Sequence, residues 1–300
     1  MRVHVSVPAT SANLGPGFDA LGLAWALHNE VVLSEAEGVS VAIEGEGAAR
    51  LPRTADNMVA RGVKLAYDAT GRPFKGCALA CTNRVPSARG LGSSAAAWVG
   101  GLVAGNALLG APLTKDALLS LAARAEGHPD NVAAAIFGGL TVSCVSDATV
   151  TAVPLPVPAS LRWVVLIPEV TNATADARAV LPTSVPHADA VFNVQRVALL
   201  LASLWAGRPA ALGVAFEDRL HEPYRLRLFP WMSDVVKAAR AAGALGCVLS
   251  GAGPSLLAVV AGDGAPVAAA MEAVLRRAGI AGAARALDVD TSGARSRVIG

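Results

Sequence analysis

The sequence predicts a two-domain α+β protein. Its 300 residues suffice for two domains of ordinary size, and 53% are hydrophobic while only 16% are charged, so a sizeable core is easily built. Strand-like and helix-like segments are mixed without the regular βαβα alternation of a doubly wound sheet, which favours α+β domains. The three prolines of PLPVPAS, residues 154–160, interrupt regular structure. We therefore expect domains at residues 1–155 and 156–300.

Alternation of apolar and polar residues predicts the first strand, in which Val3, Val5 and Val7 share one face. The same signal predicts further strands over residues 31–34, 39–44, 76–83, 140–145 and 149–153. Helical periodicity predicts helices over residues 56–68, 92–109 and 113–124. Asp56 and Thr114 are candidate N-caps of the first and third of these helices. The helix over residues 92–109 is apolar nearly all round, so we expect it to be buried.

In the second half of the chain, strands are predicted over residues 161–167, 245–250, 255–260 and 283–289. Helices are predicted over residues 175–181, 188–206, 232–242 and 266–278. The glycine-rich SGAGP, residues 250–254, lies between two apolar strands and indicates a hairpin turn. Its glycine backbone could equally approach a ligand closely.

Composition argues against several classes of partner. The net charge is only +2 and no basic run is interleaved with aromatic residues, so we expect no nucleic acid partner. No stretch approaches the ~20 consecutive apolar residues of a membrane span, so we expect no membrane partner. The cysteines lie in apolar, strand-like segments without metal-ligand spacing, and the chain begins without a signal-peptide pattern. Buried thiols and a cytoplasmic location are therefore expected.

The stretch RVPSARGLGSSAAAWVGG, residues 84–101, resembles a phosphate-binding loop in texture but matches neither standard pattern. A P-loop needs a lysine, and a dinucleotide fingerprint needs a third glycine where Ala95 stands. Gly90 and Gly92 still permit torsions that turn successive N–H groups toward an anion. The following helix adds its positive N-terminus, and two serines offer hydroxyls for phosphate or magnesium. A tight strand-to-helix turn explains the same residues equally well.

Two polar residues stand out in PATSANLGPGFDALGLA, residues 8–24. Asn13 and Asp19 lie among small, turn-forming and apolar residues, directly after the first predicted strand. A loop of this length with so little charge is compatible with a shaped pocket wall. It is equally compatible with a surface loop of Asx-type turns.

The stretch AEGHPDNVAAAIFGG, residues 125–139, groups Glu126, His128, Asp130 and Asn131 within six residues. Asp130 or Asn131 could cap the following helix, but capping explains only one of these four polar residues. The spacing does not fit a zinc site. A carboxylate such as that of Glu126 suits magnesium, which prefers one or two protein oxygens together with substrate phosphates.

Two arginines in the second half are candidate carboxylate clamps. Arg178 shares a predicted helix face with Thr174, and Arg225 lies in HEPYR, residues 221–225. Either guanidinium could bind a carboxylate in bidentate fashion. Either could also be an ordinary solvated arginine.

Taken together, these stretches resemble the GHMP kinase superfamily. Its three motifs, a substrate loop, a P-x-x-x-G-L-G-S-S-A-A loop and a G-x-G-P-S turn, match residues 8–22, 86–96 and 251–255 in the same order. Within the superfamily, PATSANLGPGFD and EGHPDNVA are most similar to the homoserine kinases. The resemblance covers essentially the whole chain. It implies an N-terminal domain like domain 2 of ribosomal protein S5 and a ferredoxin-like C-terminal domain.

The resemblance also implies an activity. Homoserine kinases transfer phosphate from ATP to the hydroxyl of L-homoserine, which gives O-phospho-L-homoserine and ADP in threonine biosynthesis. The implied cofactors are ATP and Mg²⁺, the implied partner is a small-molecule substrate, and a homodimer is expected. The implied magnesium ligands are Ser94 and Glu126, and Asn57 matches an asparagine near the adenine. The implied phosphate loop comprises Pro86, Ser87, Ala88, Arg89, Gly90, Leu91, Gly92, Ser93, Ser94, Ala95 and Ala96.

The implied substrate-binding positions are Asn13, Asp19, His128, Asn131, Arg178 and Arg225. In this scheme Asp19 pairs with the ammonium group of the amino acid, and the arginines pair with its carboxylate. The implied catalytic residues are Asn131, Ser94 and Glu126.

The sequence allows two routes for the substrate proton. Some superfamily members use an aspartate base paired with a lysine, and in homoserine kinases that place resembles Asn131, whose amide cannot take a proton. We expect Asn131 to orient the hydroxyl while the proton leaves to the γ-phosphate or to a water molecule. Asp130 is the rival candidate for a general base.

Two other functions compete with this interpretation. One is a different GHMP small-molecule kinase, of the mevalonate or diphosphocytidyl-methylerythritol type. The presence of both an acidic residue, Asp19, and two arginines, Arg178 and Arg225, argues for an amino acid instead. A site for an amino acid needs a negative group for the ammonium and a positive group for the carboxylate. The other is a non-catalytic binding protein on the same fold, against which the presence of both Ser94 and Glu126 argues.

Overall fold

The first half of the chain forms the larger of two sheets in the computed structural model, which describes residues 1–147 and 149–299. Its strands are β1 (Arg2–Ala12), β2 (Leu21–Glu35), β3 (Gly38–Gly45), β4 (Gly76–Asn83), β5 (Leu140–Ser146) and β6 (Thr149–Leu155). Its helices are α1 (Met58–Ala69), α2 (Ser93–Leu108), α3 (Lys115–Glu126) and α4 (Asp130–Phe137). The valines Val3, Val5 and Val7 are fully buried, as the alternating pattern predicts.

The long strand β2 organises this sheet. It runs antiparallel to β1, and the loop between them, residues 13–20, lies at the end of the sheet. One end of β2 pairs with β4, which continues to β3 in parallel, while the other end pairs with β5 and then β6. The phosphate loop lies between β4 and α2, and the EGHPDN stretch lies at the start of α4, which is followed by β5. Since β4 and β5 both pair with β2, these two stretches lie close to the loop of residues 13–20.

The second half forms a four-stranded antiparallel sheet. Its strands are β7 (Arg162–Pro168), β8 (Gly246–Leu249), β9 (Leu256–Val260) and β10 (Gly282–Leu287), in the order β10-β7-β9-β8. Its helices are α5 (Thr174–Ala179), α6 (His187–Trp205), α7 (Leu212–Ala215), α8 (Glu222–Arg225), α9 (Met232–Ala241) and α10 (Ala265–Arg277). Strands β8 and β9 are joined by the SGAGP turn, as predicted.

A last strand crosses back to the first sheet. β11 (Arg295–Val298) pairs antiparallel with β1, so the C-terminal end of the chain completes the N-terminal sheet. The sequence did not predict this strand, because all four of its residues are exposed and no apolar alternation marks them.

The two halves share a continuous hydrophobic core. Trp25 of β2 packs edge-on against Trp163 of β7, with ring centroids 5.8 Å apart. Leu14 of the loop after β1 and Leu91 of the phosphate loop are buried in the same cluster as Val248 of β8. Both loops are therefore held against the second sheet by buried apolar side chains.

Several local predictions are confirmed and others are wrong. Helix α2 is buried as expected, and Thr114 caps α3 by accepting a hydrogen bond from the N–H of Ala117 (3.2 Å). Asp56 does not cap α1; that helix starts one residue later than an Asp56 cap implies, and Asn57 is its N-cap. The expectation of buried thiols fails at Cys144, which is exposed near the end of β5. None of the described helices is long and apolar enough to cross a membrane.

Candidate active site

The site is a cavity of about 370 Å³ where the loops of the two halves meet. Its walls come from the loop after β1, the phosphate loop, the segment between α3 and α4, and the SGAGP turn. This volume is that of a small-molecule pocket. The cavity therefore joins all the stretches that the sequence analysis singled out, although they are far apart in the chain.

The phosphate loop presents a free helix N-terminus to this cavity. Gly92 occupies the N-cap of α2 in a left-handed conformation (φ +68°), and among the described residues no side chain caps this end. The N–H groups of the first turn, from Ser93 onward, are thus available to an anion, and the helix dipole favours negative charge there. Ala88 also has a positive φ of +55°, which is uncommon for a residue with a side chain.

The rest of the molecule fixes this loop through its carbonyl groups. Leu91 O accepts the N–H of Thr10 (3.1 Å), Gly90 O accepts the hydroxyl of Ser250 (2.6 Å), and Ala88 O accepts the N–H of Asn172 (2.9 Å). These donors belong to β1, to the SGAGP turn and to the segment after β7. With its carbonyls engaged behind it, the loop can turn its N–H groups to the cavity.

Arg89 brings positive charge to the same loop. Its Nε atom is buried and has no hydrogen-bond partner among the described residues, while its Nη1 atom lies 3.9 Å from Glu46 Oε1. A buried guanidinium N–H without an acceptor costs free energy unless a ligand supplies one. Arg89 lines the cavity, so an anionic ligand there would lie close to its positive charge.

Asn57 lies in the wall of the cavity but has structural partners. Asn57 caps α1, because its Oδ1 accepts a hydrogen bond from the N–H of Val59. Its Nδ2 donates to Pro52 O (2.8 Å). The side chain therefore holds residues 52–58 as a wall, next to Ile43 and other apolar residues. Direct contact between Asn57 and an adenine stays a prediction.

Ser94 and Glu126, the two implied magnesium ligands, are in direct contact in the wall of the cavity. The Ser94 hydroxyl donates a hydrogen bond to Glu126 Oε1. Burial raises the pKa of Glu126, while the Ser94 hydroxyl and His128 oppose that rise. A desolvated carboxylate beside a hydroxyl is a hard oxygen pair that suits Mg²⁺ together with phosphate oxygens. Among the described residues, no group of three or more His, Cys, Asp or Glu side chains forms an all-protein metal site.

His128 is oriented by Asp130. His128 Nδ1 lies 2.9 Å from Asp130 Oδ1, and the same oxygen accepts the N–H of Asn131 (2.7 Å). Burial acts to lower the pKa of His128, but the hydrogen bond and charge of Asp130 outweigh it and the pKa is raised. The sequence suggested Asp130 or Asn131 as the cap of α4. Neither caps it, because Pro129 occupies the N-cap position. Asp130 is only 2% exposed and serves as an internal anchor.

The amide of Asn131 is held by Thr10, a residue that the sequence analysis did not single out. The fully buried Thr10 hydroxyl donates to Asn131 Oδ1 (2.8 Å). This bond occupies the amide oxygen and leaves the Nδ2 group for the cavity, which Asn131 lines. Asn131 can therefore donate a hydrogen bond to a ligand oxygen there.

Asp19 and Arg178 form a bidentate ion pair. Arg178 Nη1 and Nη2 donate to the two Asp19 carboxylate oxygens at 3.1 and 2.7 Å, although the residues are 159 positions apart. The pair spans the loop after β1 and α5. It places one negative and one positive group side by side in the wall of the cavity, each about a third exposed.

Asn13 shapes the loop that carries Asp19. Its Oδ1 accepts the N–H of Asp19 (3.0 Å), and its Nδ2 donates to Gly251 O (3.1 Å) in the SGAGP turn. Asn13 and Asp19 both have positive φ angles, +71° and +55°, which short polar side chains tolerate best. These bonds explain the two residues structurally, and direct contact of Asn13 with a substrate stays a prediction.

Arg225 is buried at the back of the cavity and only 2% exposed. It lies against the ring of Phe18, 5.2 Å from the ring centroid, and Arg178 lies over the same ring at 5.7 Å. The two arginines predicted to bind a carboxylate therefore both make cation–π contacts with the ring of Phe18. Phe18 precedes Asp19 directly, so one short loop carries the acidic residue of the pocket and contacts both arginines.

Thus the predicted site residues line one cavity, except Pro86 and Ala95 of the phosphate loop, which lie outside its wall. It adds Thr10, Phe18, Asn172 and Ser250, which sequence reasoning missed. One signal could have pointed to Thr10: polar residues occur near the end of the first predicted strand. Thr10 and Ser11 are fully buried there, and buried polar side chains need hydrogen-bond partners.

The fold and this site define a small-molecule kinase, with a phosphate cradle beside a pocket for a charged acceptor. Two family descriptions match the chain: "GHMP kinases N terminal domain" over residues 57–139 and "GHMP kinases C terminal" over residues 198–280. GHMP kinases use ATP.

Individual relatives indicate which group of GHMP kinases the chain belongs to. The chain is 46% identical to a homoserine kinase of Moorella thermoacetica over 276 residues, which is 92% of this chain and 93% of the relative. It is also 46% identical to one of Carboxydothermus hydrogenoformans over 93% of this chain and 91% of that one. A crystal structure of homoserine kinase from Cytophaga hutchinsonii superposes with a TM-score of 0.90 at 34% identity, covering 99% and 97% of the two chains. The chain belongs to the homoserine kinase family.

Proposed function

We propose that this protein transfers the γ-phosphoryl group of ATP to the side-chain hydroxyl of L-homoserine, which gives O-phospho-L-homoserine and ADP. The observation that carries this proposal is the convergence of Asp19, Arg178 and Arg225 beside the phosphate loop. An α-amino acid has an ammonium and a carboxylate on one carbon. Asp19 can exchange its arginine partner for the ammonium, and the arginines can then bind the carboxylate.

The chain offers two protein oxygens, from Ser94 and Glu126, to hold Mg²⁺. An ion held there with the ATP phosphates would supply positive charge to offset that of the group being transferred. The protein's own contribution is positioning: the α2 N-terminus and loop N–H groups hold the phosphates in place. Arg89 lines the cavity, so its positive charge lies close to an anion bound there.

The reaction forms a bond between the substrate hydroxyl oxygen and the γ-phosphorus and breaks the bond to the leaving ADP oxygen. Asn131 donates its Nδ2–H to the hydroxyl oxygen and so orients a lone pair for attack, since Thr10 occupies the amide oxygen. Asn131 therefore takes no proton. The hydroxyl proton passes to an oxygen of the transferred phosphoryl group or to a water molecule.

Asp130 is not the general base in this mechanism, and a conservative variant tests this. Asp130→Asn keeps an Oδ1 acceptor for both His128 and Asn131 N–H, so we expect kcat to fall by less than about 10-fold. Asn131→Ala removes one donor aimed at the reacting oxygen and should lower kcat by about 100-fold. Steady-state kinetics at saturating substrates compares them. A loss of several orders of magnitude in Asp130→Asn would make Asp130 the base.

An ADP-release assay with L-homoserine, mevalonate and galactose tests the substrate class. We expect turnover of L-homoserine alone among these three. Two further compounds remove one charge at a time: 4-hydroxybutyrate lacks the ammonium and 3-aminopropan-1-ol lacks the carboxylate. Both should have kcat/KM at least about 100-fold below L-homoserine, because each leaves a charge of the pocket without its partner. Equal use of 4-hydroxybutyrate would contradict the role of Asp19.

We also infer that the protein is a cytoplasmic homodimer. An apolar stripe on α6 supports the dimer: one face of this helix carries the exposed residues Val191, Val194, Ala198, Ala202 and Trp205. Trp205 is 71% exposed and Val194 66% exposed. Large apolar side chains aligned on an exposed face are typical of a protein interface.

The variant Trp205→Glu tests this surface. Placing a charge in the stripe should convert the dimer to a monomer, because a buried unpaired carboxylate opposes association. Sedimentation equilibrium at micromolar protein measures the mass. Val153→Glu is the control, since Val153 is a 51% exposed apolar residue of β6. A Trp205→Glu protein that remains as dimeric as the control would exclude α6 as the interface.

A further inference from the structure

His221 is a fully buried histidine next to the amino-acid pocket that the mechanism above does not use. It lies immediately before α8, the helix that carries Arg225. Its ring stands between the loop after β1 and Arg225: Nε2 is 2.8 Å from Gly15 O, and Nδ1 is 3.2 Å from Arg225 Nη1. The imidazole thus bridges two parts of the pocket that are more than 200 residues apart in sequence.

The chemistry of the two partners fixes the state of this ring. A carbonyl oxygen only accepts, so Nε2 must carry the proton, and a guanidinium only donates, so Nδ1 must offer its lone pair. Only the neutral Nε2–H tautomer satisfies both bonds. Burial lowers the pKa of His221 and the charge of Arg225 lowers it further, against opposing effects of Asp218 and Asp19. The neutral state is therefore favoured by the surroundings as well.

The bridge completes the restraint of Arg225. Its Nε donates to Ala177 O (3.2 Å) in α5, and its Nη1 donates to Gly251 O (3.1 Å) in addition to His221. Among the described residues, Nη2 has no hydrogen-bond partner, and Arg225 lines the cavity. The guanidinium is therefore held through its Nε and Nη1 groups, and its Nη2 group is available to a carboxylate.

His221 also supports the loop that carries Asp19. Its ring stacks on Phe18 with centroids 5.1 Å apart and an interplanar angle of 21°. Behind it, Asp218 Oδ2 accepts the N–H groups of His221 (2.9 Å) and Glu222 (2.7 Å), which fixes the start of α8. The ring is thus anchored from behind and contacts the loop through both Phe18 and Gly15.

We propose that His221 is a positioning residue that couples Arg225 to the loop after β1, so that the carboxylate clamp and the ammonium partner Asp19 keep one fixed spacing. This role rests on the proposed function, since it concerns the pocket for the amino acid. It does not involve the phosphate half of the cavity. Loss of the bridge therefore loosens binding of the amino acid and leaves binding of ATP intact.

Two amide substitutions separate the two bonds. His221→Asn places an amide oxygen near the position of Nδ1 and keeps the acceptor for Arg225. His221→Gln places an amide N–H near the position of Nε2 and keeps the donor to Gly15 O. We expect KM for L-homoserine to rise about 10-fold in His221→Asn and more in His221→Gln, because the bond lost there involves a charged group. KM for ATP and kcat should stay within about 3-fold in both.

His187→Gln, at the exposed start of α6, is the matched control and should behave as wild type. In an Arg225→Lys background, His221→Gln should add little further loss, because its partner is already altered. Unchanged KM values for L-homoserine would overturn the role. So would a parallel rise in both KM values with lowered thermal stability, which indicates a structural residue only.

The ¹⁵N shifts of the His221 ring test the bridge whichever substrate the enzyme uses. A neutral Nε2–H tautomer at pH 7 supports it, and a protonated ring or an Nδ1–H tautomer overturns it. Absence of turnover with L-homoserine in the wild type defeats the proposed function, whereas the tautomer measurement still decides whether His221 bridges Gly15 and Arg225.

Discussion

Glu126→Gln is expected to lower kcat/KM by about 10³-fold, the largest effect of any single conservative change in this site. Glutamine keeps the shape of the side chain and an oxygen that can accept from the Ser94 hydroxyl, but it removes the negative charge that would hold Mg²⁺. The protein should remain folded, because burial of a neutral amide replaces burial of a carboxylate whose pKa burial already raises. Initial rates across a Mg²⁺ titration measure the loss.

Asp116→Asn is the matched control for this variant. It removes a carboxylate from the same helix, α3, at an exposed position in the first turn. Its kcat/KM should stay within about 2-fold of wild type, since exposed single charges contribute little. A Glu126→Gln enzyme with wild-type rates and Mg²⁺ dependence would remove Glu126 from the metal site.

The same carboxylate predicts a pH effect. Because the pKa of Glu126 is raised, its proton competes with Mg²⁺ at higher pH than for an exposed glutamate. The apparent Mg²⁺ affinity should therefore fall as the pH is lowered toward mildly acidic values, and saturating Mg²⁺ should restore activity. Glu126→Gln should lack this competition.

Gly92→Ala is expected to lower kcat/KM for ATP by about 100-fold or more. Gly92 has a φ of +68°, and a Cβ there would overlap the Thr10 hydroxyl and approach Asn131 Oδ1 at 3.1 Å. The loop must then shift, which disturbs the N–H groups at the start of α2 and the Thr10–Asn131 bond together. Kinetics with varied ATP, alongside isothermal titration with an ATP analogue, measures the effect.

Gly38→Ala separates strain from function. Gly38 has a similar φ of +75°, but nothing lies within 4 Å of its added Cβ. Both variants adopt a disfavoured left-handed torsion that costs about 1–2 kcal/mol, so Gly38→Ala should lose some thermal stability and keep its activity. Equal kinetic losses in the two variants would mean that the Gly92 effect is strain alone and that the cradle tolerates a side chain.

The features predicted best from the sequence are those written in one short stretch. The start of α2 after the glycine-rich turn and the cap Thr114 depend on neighbours a few residues away, and both are found where the pattern placed them. The cap of α1 shows the limit of such patterns. Asp56 and Asn57 are both good caps by type, and the choice between them depends on the partner that Pro52 O offers to Asn57.

Contacts across the fold could not be predicted from a single sequence. Thr10 meets Asn131 over 121 positions and Asp19 meets Arg178 over 159, so their pairing depends on how the sheets bring loops together. Asp19 and Arg178 were predicted as separate ligands for a substrate, whereas in the structure they bind each other. Strand β11 could not be predicted either, because it depends on another distant contact. Its backbone pairs with β1, and its exposed side chains give no apolar pattern.

Direct identification of the product tests the central claim most directly. The purified protein, incubated with Mg-ATP and L-homoserine, should give one O-phospho-L-homoserine for each ADP, identified by ³¹P NMR and by mass spectrometry of the amino acid. Formation of ADP with inorganic phosphate only, or no ADP above the rate without L-homoserine, would contradict the account of this site.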